Sequence, residues 1–124
     1  MMPSSRLISA TLLALLPISA IAAEGNAVKG RRLFQSQCAA CHTVTTENRV
    51  TGPGLAGVVG RKAAANEGFA YTEALKNSGL TWDAATLEKY FAGPTQLVPG
   101  TTMVQVVNPP PARADIIAYL NTLK

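Results

Sequence analysis

The chain is poor in the residues that build catalytic and metal sites. Its 124 residues include one histidine, two cysteines and, past the first two positions, one methionine. A structural zinc site takes four protein ligands, more than this histidine and these cysteines supply. Charged residues make up only 15% of the chain, and no basic stripe with interleaved aromatics appears; a nucleic-acid-binding role is excluded on that ground. Aromatics are scarce at 6%, and a chain of this size buries only a modest fraction of its surface. Many of its residues are Gly, Pro, Ser and Thr in loops, so a large apolar group at the centre would supply core that the side chains do not. There is no internal repeat, no low-complexity segment and no strong strand pattern.

What is present begins with an export pattern. Arg6 gives a positive start, Leu7 to Leu16 is mostly apolar, Pro17 interrupts the run, and Ala20-Ile21-Ala22 has the A-x-A form of a signal-peptidase site. Residues 1–22 are expected to be a cleaved signal peptide and residues 23–124 one small domain. The alternative, an uncleaved anchor, is disfavoured because a membrane span takes about 20 apolar residues and this run is shorter and carries Pro17. The domain holds ten basic and seven acidic side chains, a mild balance.

The rest of the chain is organised around Cys38-Ala39-Ala40-Cys41-His42. Cys-x-x-Cys-His is the pattern of c-type haem attachment. Two thiols this far apart on a helical turn can each add to one vinyl group of a haem, with the following imidazole under the iron. Three other uses of the cysteines compete. A disulfide across two residues is strained and rare. A thioredoxin-like pair needs a preceding strand and a βαβ pattern, and neither is visible. Zinc lacks ligands. Haem attachment needs only the three residues present.

In chain order, Asn26 to Gln37 reads as a first helix, with Asn26 as N-cap and Val28, Leu33 and Phe34 near one face. Gly30 inside it costs stability; either a close packing partner requires it or it is an ordinary exposed glycine. Thr43 to Thr51 is a polar loop. Thr51-Gly52-Pro53-Gly54-Leu55 is a tight turn whose carbonyl near Pro53 is placed to accept the second ring N–H of His42, unless it is simply a surface turn. Arg61 in the loop Gly57 to Gly68 is either a partner for a haem propionate or a solvated charge. Tyr71 to Asn77 reads as a short helix. Thr81-Trp82-Asp83 opens another, capped by Thr81, with Leu87, Tyr90 and Phe91 as its apolar face and Gly93-Pro94 as its stop. Trp82 needs an acceptor for its N–H. Leu97 to Met103 reads as loop. Met103 is the second iron-ligand candidate: a methionine is more often core filler, but no other Met or His remains in the domain, and it lies 61 residues after His42. Asn108-Pro109-Pro110-Pro111 is rigid and extended, and a proline at or near the first helical position opens a last helix to about Leu123, with Ile116, Ile117, Tyr119, Leu120 and Leu123 as its stripe. Arg113 falls in its first turn, where the helix dipole disfavours a cation, but Asp115 is close.

Together these residues make the chain similar to the small class I cytochromes c, particularly the bacterial cytochrome c2 and mitochondrial-type branch. The resemblance covers residues 25–124. It rests on Lys29-Gly30 with Phe34, on Cys38 to Val44, on Gly52-Pro53-Gly54-Leu55 and on Gly60-Arg61-Lys62. It continues through Gly68-Phe69, Tyr71-Thr72, Gly79-Leu80-Thr81-Trp82, Pro99-Gly100-Thr101 with Met103, and Asp115 to Leu120. It implies an all-α fold of three main helices and short pieces around one covalently bound haem c. It implies that the first and last helices cross at Gly30, with Phe34, Ile116 and Tyr119 packed there. It further implies that Arg61, Tyr71 and Trp82 hold a propionate, and that Tyr90 and Thr101 form a hydrogen-bond network beside the methionine ligand. Three departures stand out: Leu75 where the family often has asparagine, Gln105 where the mitochondrial proteins have an aromatic residue, and the near absence of the lysine ring. Gln37, Thr95, Gln96, Thr102 and Pro109 to Pro111 surround those places instead.

The expected function is that of a monomeric periplasmic one-electron carrier between redox proteins, with no catalytic acid or base and no stable membrane insertion. Two rivals share the haem: an electron-entry subunit of a periplasmic dehydrogenase, and a peroxidase-like enzyme if Met103 is not a stable ligand. A third, a haem-free dithiol redox protein, is excluded by covalent haem.

Overall fold

The computed structural model describes residues 2–4, 9–15 and 24–124. The cleavage motif Ala20-Ile21-Ala22 and much of the expected signal segment lie outside the described residues. Five helices follow in order: α1 (Ala27–Gln37), α2 (Glu73–Lys76), α3 (Ala84–Ala92), α4 (Pro94–Leu97) and α5 (Pro110–Leu120). Among the described residues the only β-pairing is an isolated bridge between Lys62 and Thr81. The all-α expectation therefore holds. No helix among the described residues is long and apolar enough to cross a membrane.

The frame is the crossing of α1 on α5. Asn26 caps α1 through its side chain, which accepts from Lys29 N at 3.0 Å, and its own N–H donates to Asp115 Oδ1 on α5 at 2.7 Å. Gly30 is buried, and a Cβ there would overlap the Asp115 backbone carbonyl and crowd Tyr119. Of its two readings, close approach is the correct one: the helices touch backbone to backbone. Beside this contact the Phe34 and Tyr119 rings meet edge to face, centroids 5.6 Å apart. Ile116, with no exposed surface, and Leu120 continue the core toward Leu87 and Phe91 of α3.

The structure corrects the sequence reading at four places. Thr81 does not cap α3. Residues 80–82 are extended and paired with the 60–63 segment, through Gly60 N to Trp82 O, Trp82 N to Arg61 O and Ala63 N to Leu80 O, each 2.8 Å. The cap is Asp83, which accepts from Thr86 N at 2.8 Å. Gly93-Pro94 stops α3 as expected, but the same pair also begins a further helix beyond the expected ones: Gly93 closes α3, and Pro94 at the first position opens α4, where a missing N–H costs nothing. The short helix α4 escapes a periodicity reading because one turn carries too few positions to show a period, whereas α2 lies within the short helix expected over Tyr71 to Asn77. The last helix stops at Leu120, and Asn121 to Leu123 turn back onto it.

Arg113 is the fourth. Its guanidinium is buried and well bonded, and its carboxylate partner is Glu88 of α3 rather than the nearby Asp115. Nε donates to Glu88 Oε1 of α3 at 2.6 Å, and Nη1 donates to Val107 O at 2.9 Å and Asn108 Oδ1 at 3.3 Å. These charge-assisted bonds outweigh the weak dipole penalty and tie α5 to α3 and to the segment that follows Met103.

Because the neighbours of Gly30 are backbone, they have little freedom to yield. Gly30→Ala is expected to destabilise the folded protein by about 2 kcal/mol or more, at the upper end of overpacking costs. Chemical denaturation of the haem-loaded variant against its parent measures it.

Candidate haem site

Helix α1 delivers the cysteine motif as its own continuation. The N–H groups of Cys38 and Ala39 both reach back to Phe34 O, and those of Cys41 and His42 to Cys38 O at 3.1 and 3.0 Å. The turn that holds the thiols is thus fixed to a helix end that the Gly30 crossing has already placed. Its outward carbonyls are occupied: Arg49 Nη1 donates to Ala39 O at 2.8 Å and reaches Ala40 O at 3.4 Å. Both thiols are free. Cys38 is half-buried, and burial, followed by the neighbouring Cys41, pushes its thiol up to about 11. A redox-active dithiol needs the opposite, a thiol pulled down by positive surroundings.

His42 is held by the turn that follows. Its Nδ1–H donates to the Pro53 carbonyl at 2.8 Å. A carbonyl only accepts, so Nδ1 carries the proton and Nε2 keeps its lone pair. Burial lowers the imidazole's pKa and outweighs the Pro53 hydrogen bond, which raises it; Arg49 lowers it further. The ring therefore stays neutral, the form that binds a metal. The approach requires glycine at 52, where a Cβ would stand 2.7 Å from His42 Cε1 and from Cys41 O. Gly54 is pressed in the same way against the 45–47 backbone.

Arg61 is paired with Trp82 through their backbones, Trp82 N to Arg61 O at 2.8 Å, and lies near Tyr71. Arg61 is half-buried and donates to Ala56 O and Gly54 O, each at 3.2 Å. Its pKa is lowered by burial and raised by nearby Tyr71. Among the described residues it makes no ion pair, since these join only Lys76 to Glu73 and Arg113 to Glu88. Tyr71 OH accepts from Asn66 N at 3.2 Å. Trp82 is buried, yet none of the described side-chain nitrogens or oxygens is both fully buried and unpartnered, so its indole N–H is not sealed away from an acceptor. A half-buried cation without a carboxylate, beside a phenol and an indole, is the donor set that an anionic propionate would complete.

From Trp82 the site continues to Tyr90, ring centroids 4.8 Å apart, and the Tyr90 hydroxyl shares a 2.9 Å hydrogen bond with Thr101 Oγ1. Burial raises the Tyr90 phenol, and the Thr101 bond partly offsets this. Two residues on, Met103 is half-buried and packs against the same core cluster as Cys38. Leu75 packs against that core cluster as well. Two surface hollows, one of about 310 Å³ beside Lys89 and Gln96 and one of about 330 Å³ beside Arg49 and Phe69, are not lined by the cysteines, His42 or Met103.

The residues present fit a thioether-bound haem: free paired thiols, a neutral imidazole with Nε2 available, a thioether sulfur on the far segment and an unpaired cation. Sequence reasoning missed Asn48, Arg49 and Asn66. Asn48 Oδ1 accepts from Gly54 N at 3.0 Å and from Asn66 Nδ2 at 3.0 Å, and Asn66 Nδ2 also reaches Gly54 O at 3.1 Å. Their one signal was being the side chains in polar loops best able to bond backbone from both ends.

Comparison with known proteins agrees. The Cytochrome c family profile matches residues 27–124. The chain is 51% identical to a cytochrome c2 of Rhodomicrobium vannielii over 102 residues, 81% of each chain. It is 46% identical to a cytochrome c2 of Rhodopila globiformis, over 81% of this chain and 95% of that one. Among solved structures it matches cytochrome cH from Methylobacterium extorquens with a TM-score of 0.74 at 48% identity, covering 79% of this chain and 99% of that one.

Gly52→Ala is expected to push the turn off the imidazole. The expected loss is about 1–3 kcal/mol of stability, together with faster solvent exchange of the His42 Nδ1 proton, followed by NMR of the reduced protein.

Proposed function

The chain belongs to the cytochrome c family, and we propose that it is an exported, freely diffusing one-electron carrier working between periplasmic redox proteins. It is an electron-transfer protein rather than an enzyme, and its cofactor is covalently attached haem c. When bound, the haem supplies a one-electron iron couple. In this reading Cys38 and Cys41 hold the haem by thioethers, and His42 and Met103 are the axial ligands. Arg61, Tyr71 and Trp82 take a propionate, while Tyr90 and Thr101 anchor the segment that carries Met103. Residues 1–22 are the cleaved signal and residues 23–124 the working domain, a monomer without a membrane anchor.

The observation that carries the reading is the fixed tautomer of the chain's single histidine. Pro53 holds the proton on Nδ1, so the imidazole offers Nε2 directly after two free thiols. The side chains do no proton transfer here. They fix ligand orientation, keep the surroundings apolar through Leu75 and the core, and leave little to reorganise when charge changes. Optical spectra of protein exported with its haem-attachment machinery test this. Sharp reduced bands that survive acid extraction are expected, with the weak far-red iron–methionine band in the oxidised form. Covalent haem without that band would unseat Met103 and favour the peroxidase-like alternative.

The exposed segment near Met103 supports recognition by a weakly charged face. Thr102, Val104, Gln105 and Val106 are exposed, and Gln105 reaches Gln37 of α1 at 3.4 Å. Val104 is 73% exposed, and no lysine or arginine lies between Lys89 and Arg113. Without a charged ring, steering adds little to the encounter rate. The bimolecular rate with its redox partner is expected to change less than about threefold as added salt shortens the screening length from about 30 Å to about 8 Å. A steep fall in stopped-flow traces would count against a neutral docking face.

A further inference from the structure

We propose that Asn48 is a positioning residue for the iron-binding imidazole, acting through the one peptide group that joins Pro53 to Gly54. The carbonyl of that peptide accepts from His42 Nδ1 at 2.8 Å. The N–H of the same peptide donates to Asn48 Oδ1 at 3.0 Å. A peptide group is planar and delocalised, so the two bonds act on one electronic unit. The Asn48 oxygen draws on the N–H, places more negative charge on the Pro53 oxygen, and holds the plane so that this oxygen stays on the ring.

The orientation of Asn48 is determined by its partners. Its Nδ2 donates to Glu67 O at 2.9 Å, while its Oδ1 accepts from both Gly54 N and Asn66 Nδ2. A flipped carboxamide would set donor against donor at Gly54 and Asn66 and acceptor against acceptor at Glu67. The side chain is half-buried, which limits competition from water. Asn66 has a second task besides its bond to Asn48 Oδ1. With Arg61 it bonds Gly54 O, at 3.1 and 3.2 Å, and that carbonyl belongs to the next peptide along. Asn66 knits the loop; Asn48 addresses the peptide that touches His42.

The consequence falls on the ligand. A stronger acceptor at Nδ1–H makes the imidazole a better electron donor through Nε2, and a better donor stabilises ferric over ferrous iron. Asn48 therefore lowers the reduction potential. The inference rests on the reading of His42 as the proximal ligand.

The test uses the haem-loaded protein and its Asn48→Ala, Asn48→Ser and Asn66→Ala variants. Two quantities are read: the midpoint potential by redox titration, and the His42 Nδ1–H resonance of the reduced protein labelled with nitrogen-15 histidine. Coupled hydrogen bonds strengthen one another by about 10–30%. On that scale Asn48→Ala is expected to raise the ferrous-to-ferric ratio at a fixed potential about two- to threefold. That corresponds to about 18–28 mV at 59 mV per decade, with the Nδ1–H resonance moving upfield. Asn48→Ser gentles the change to the loop and is expected to shift both quantities in the same direction, so a poorly folded alanine variant leaves the test intact. Asn66→Ala removes one of the two donors to Asn48 Oδ1 but leaves the Gly54 N–H bond to it, and is expected to lower stability with shifts in potential and resonance smaller than those of either Asn48 variant. Parental values in both Asn48 variants overturn the proposal, as do shifts in Asn66→Ala equal to those at Asn48, which would mark a loosened loop. A parent protein without a low-spin, histidine-ligated spectrum overturns the reading of His42 itself; with that spectrum intact, failure of the Asn48 shifts counts against this inference alone.

Discussion

Close contact between α1 and α5 at Gly30 is the constraint from which the rest of the site follows. With no side chain at that position the helices approach until backbone meets backbone, and Phe34 and Tyr119 fill the flank of the crossing. The end of α1 is then fixed in space. Because Cys38 to His42 form the hydrogen-bonded turn that continues α1, the attachment motif inherits its position from a helix crossing. An attachment site on a free loop would spend ordering entropy whenever its thiols were aligned. Here the fold has already met that cost.

The segments that carry the candidate ligands are otherwise irregular, and they are held by satisfied polar groups. Arg49 binds the carbonyls of the cysteine turn, Asn48 and Asn66 bracket Gly54, and Arg61 reaches across to Gly54 and Ala56. On the opposite side Arg113 grips Glu88 and the 107–108 backbone, and Tyr90 grips Thr101. Nearly every such bond runs from a side chain to a carbonyl or N–H that no helix uses. A small domain with few aromatics obtains order this way, leaving its centre to a large apolar cofactor. For electron transfer the arrangement has value, since ligands that do not move keep the cost of changing the iron's charge low.

Much of this was legible along the chain. The motif and the 61-residue spacing to Met103 carried the cofactor and the ligand candidates. Asn26 capped where its side chain allows, and Phe34 of α1, Leu87, Tyr90 and Phe91 of α3 and Ile116 and Leu120 of α5 are buried as their spacing implied, whereas Val28, read on the same face as Phe34, is 68% exposed. Thr81 was misread because a threonine before an apolar run looks like a cap, whereas its neighbours are held extended by pairing with residues 60–63, a partner remote in sequence. The helix at Pro94 was missed because Gly-Pro signals both an end and a beginning. Arg113 was judged by its own helix, while its partners sit on α3 and on the preceding segment.

By itself the sequence determined what depends on residue type and local spacing: export pattern, helical class, covalent haem chemistry and the identity of the candidate ligands. These follow from side-chain chemistry and from periods of a few residues. The tertiary structure alone decided which of the two readings of Gly30 holds, which tautomer His42 adopts, and that one peptide plane links His42 to Asn48. Each of those depends on groups brought together from distant positions, at separations of a few ångströms where hydrogen bonds and steric overlap act, and no local pattern encodes that proximity.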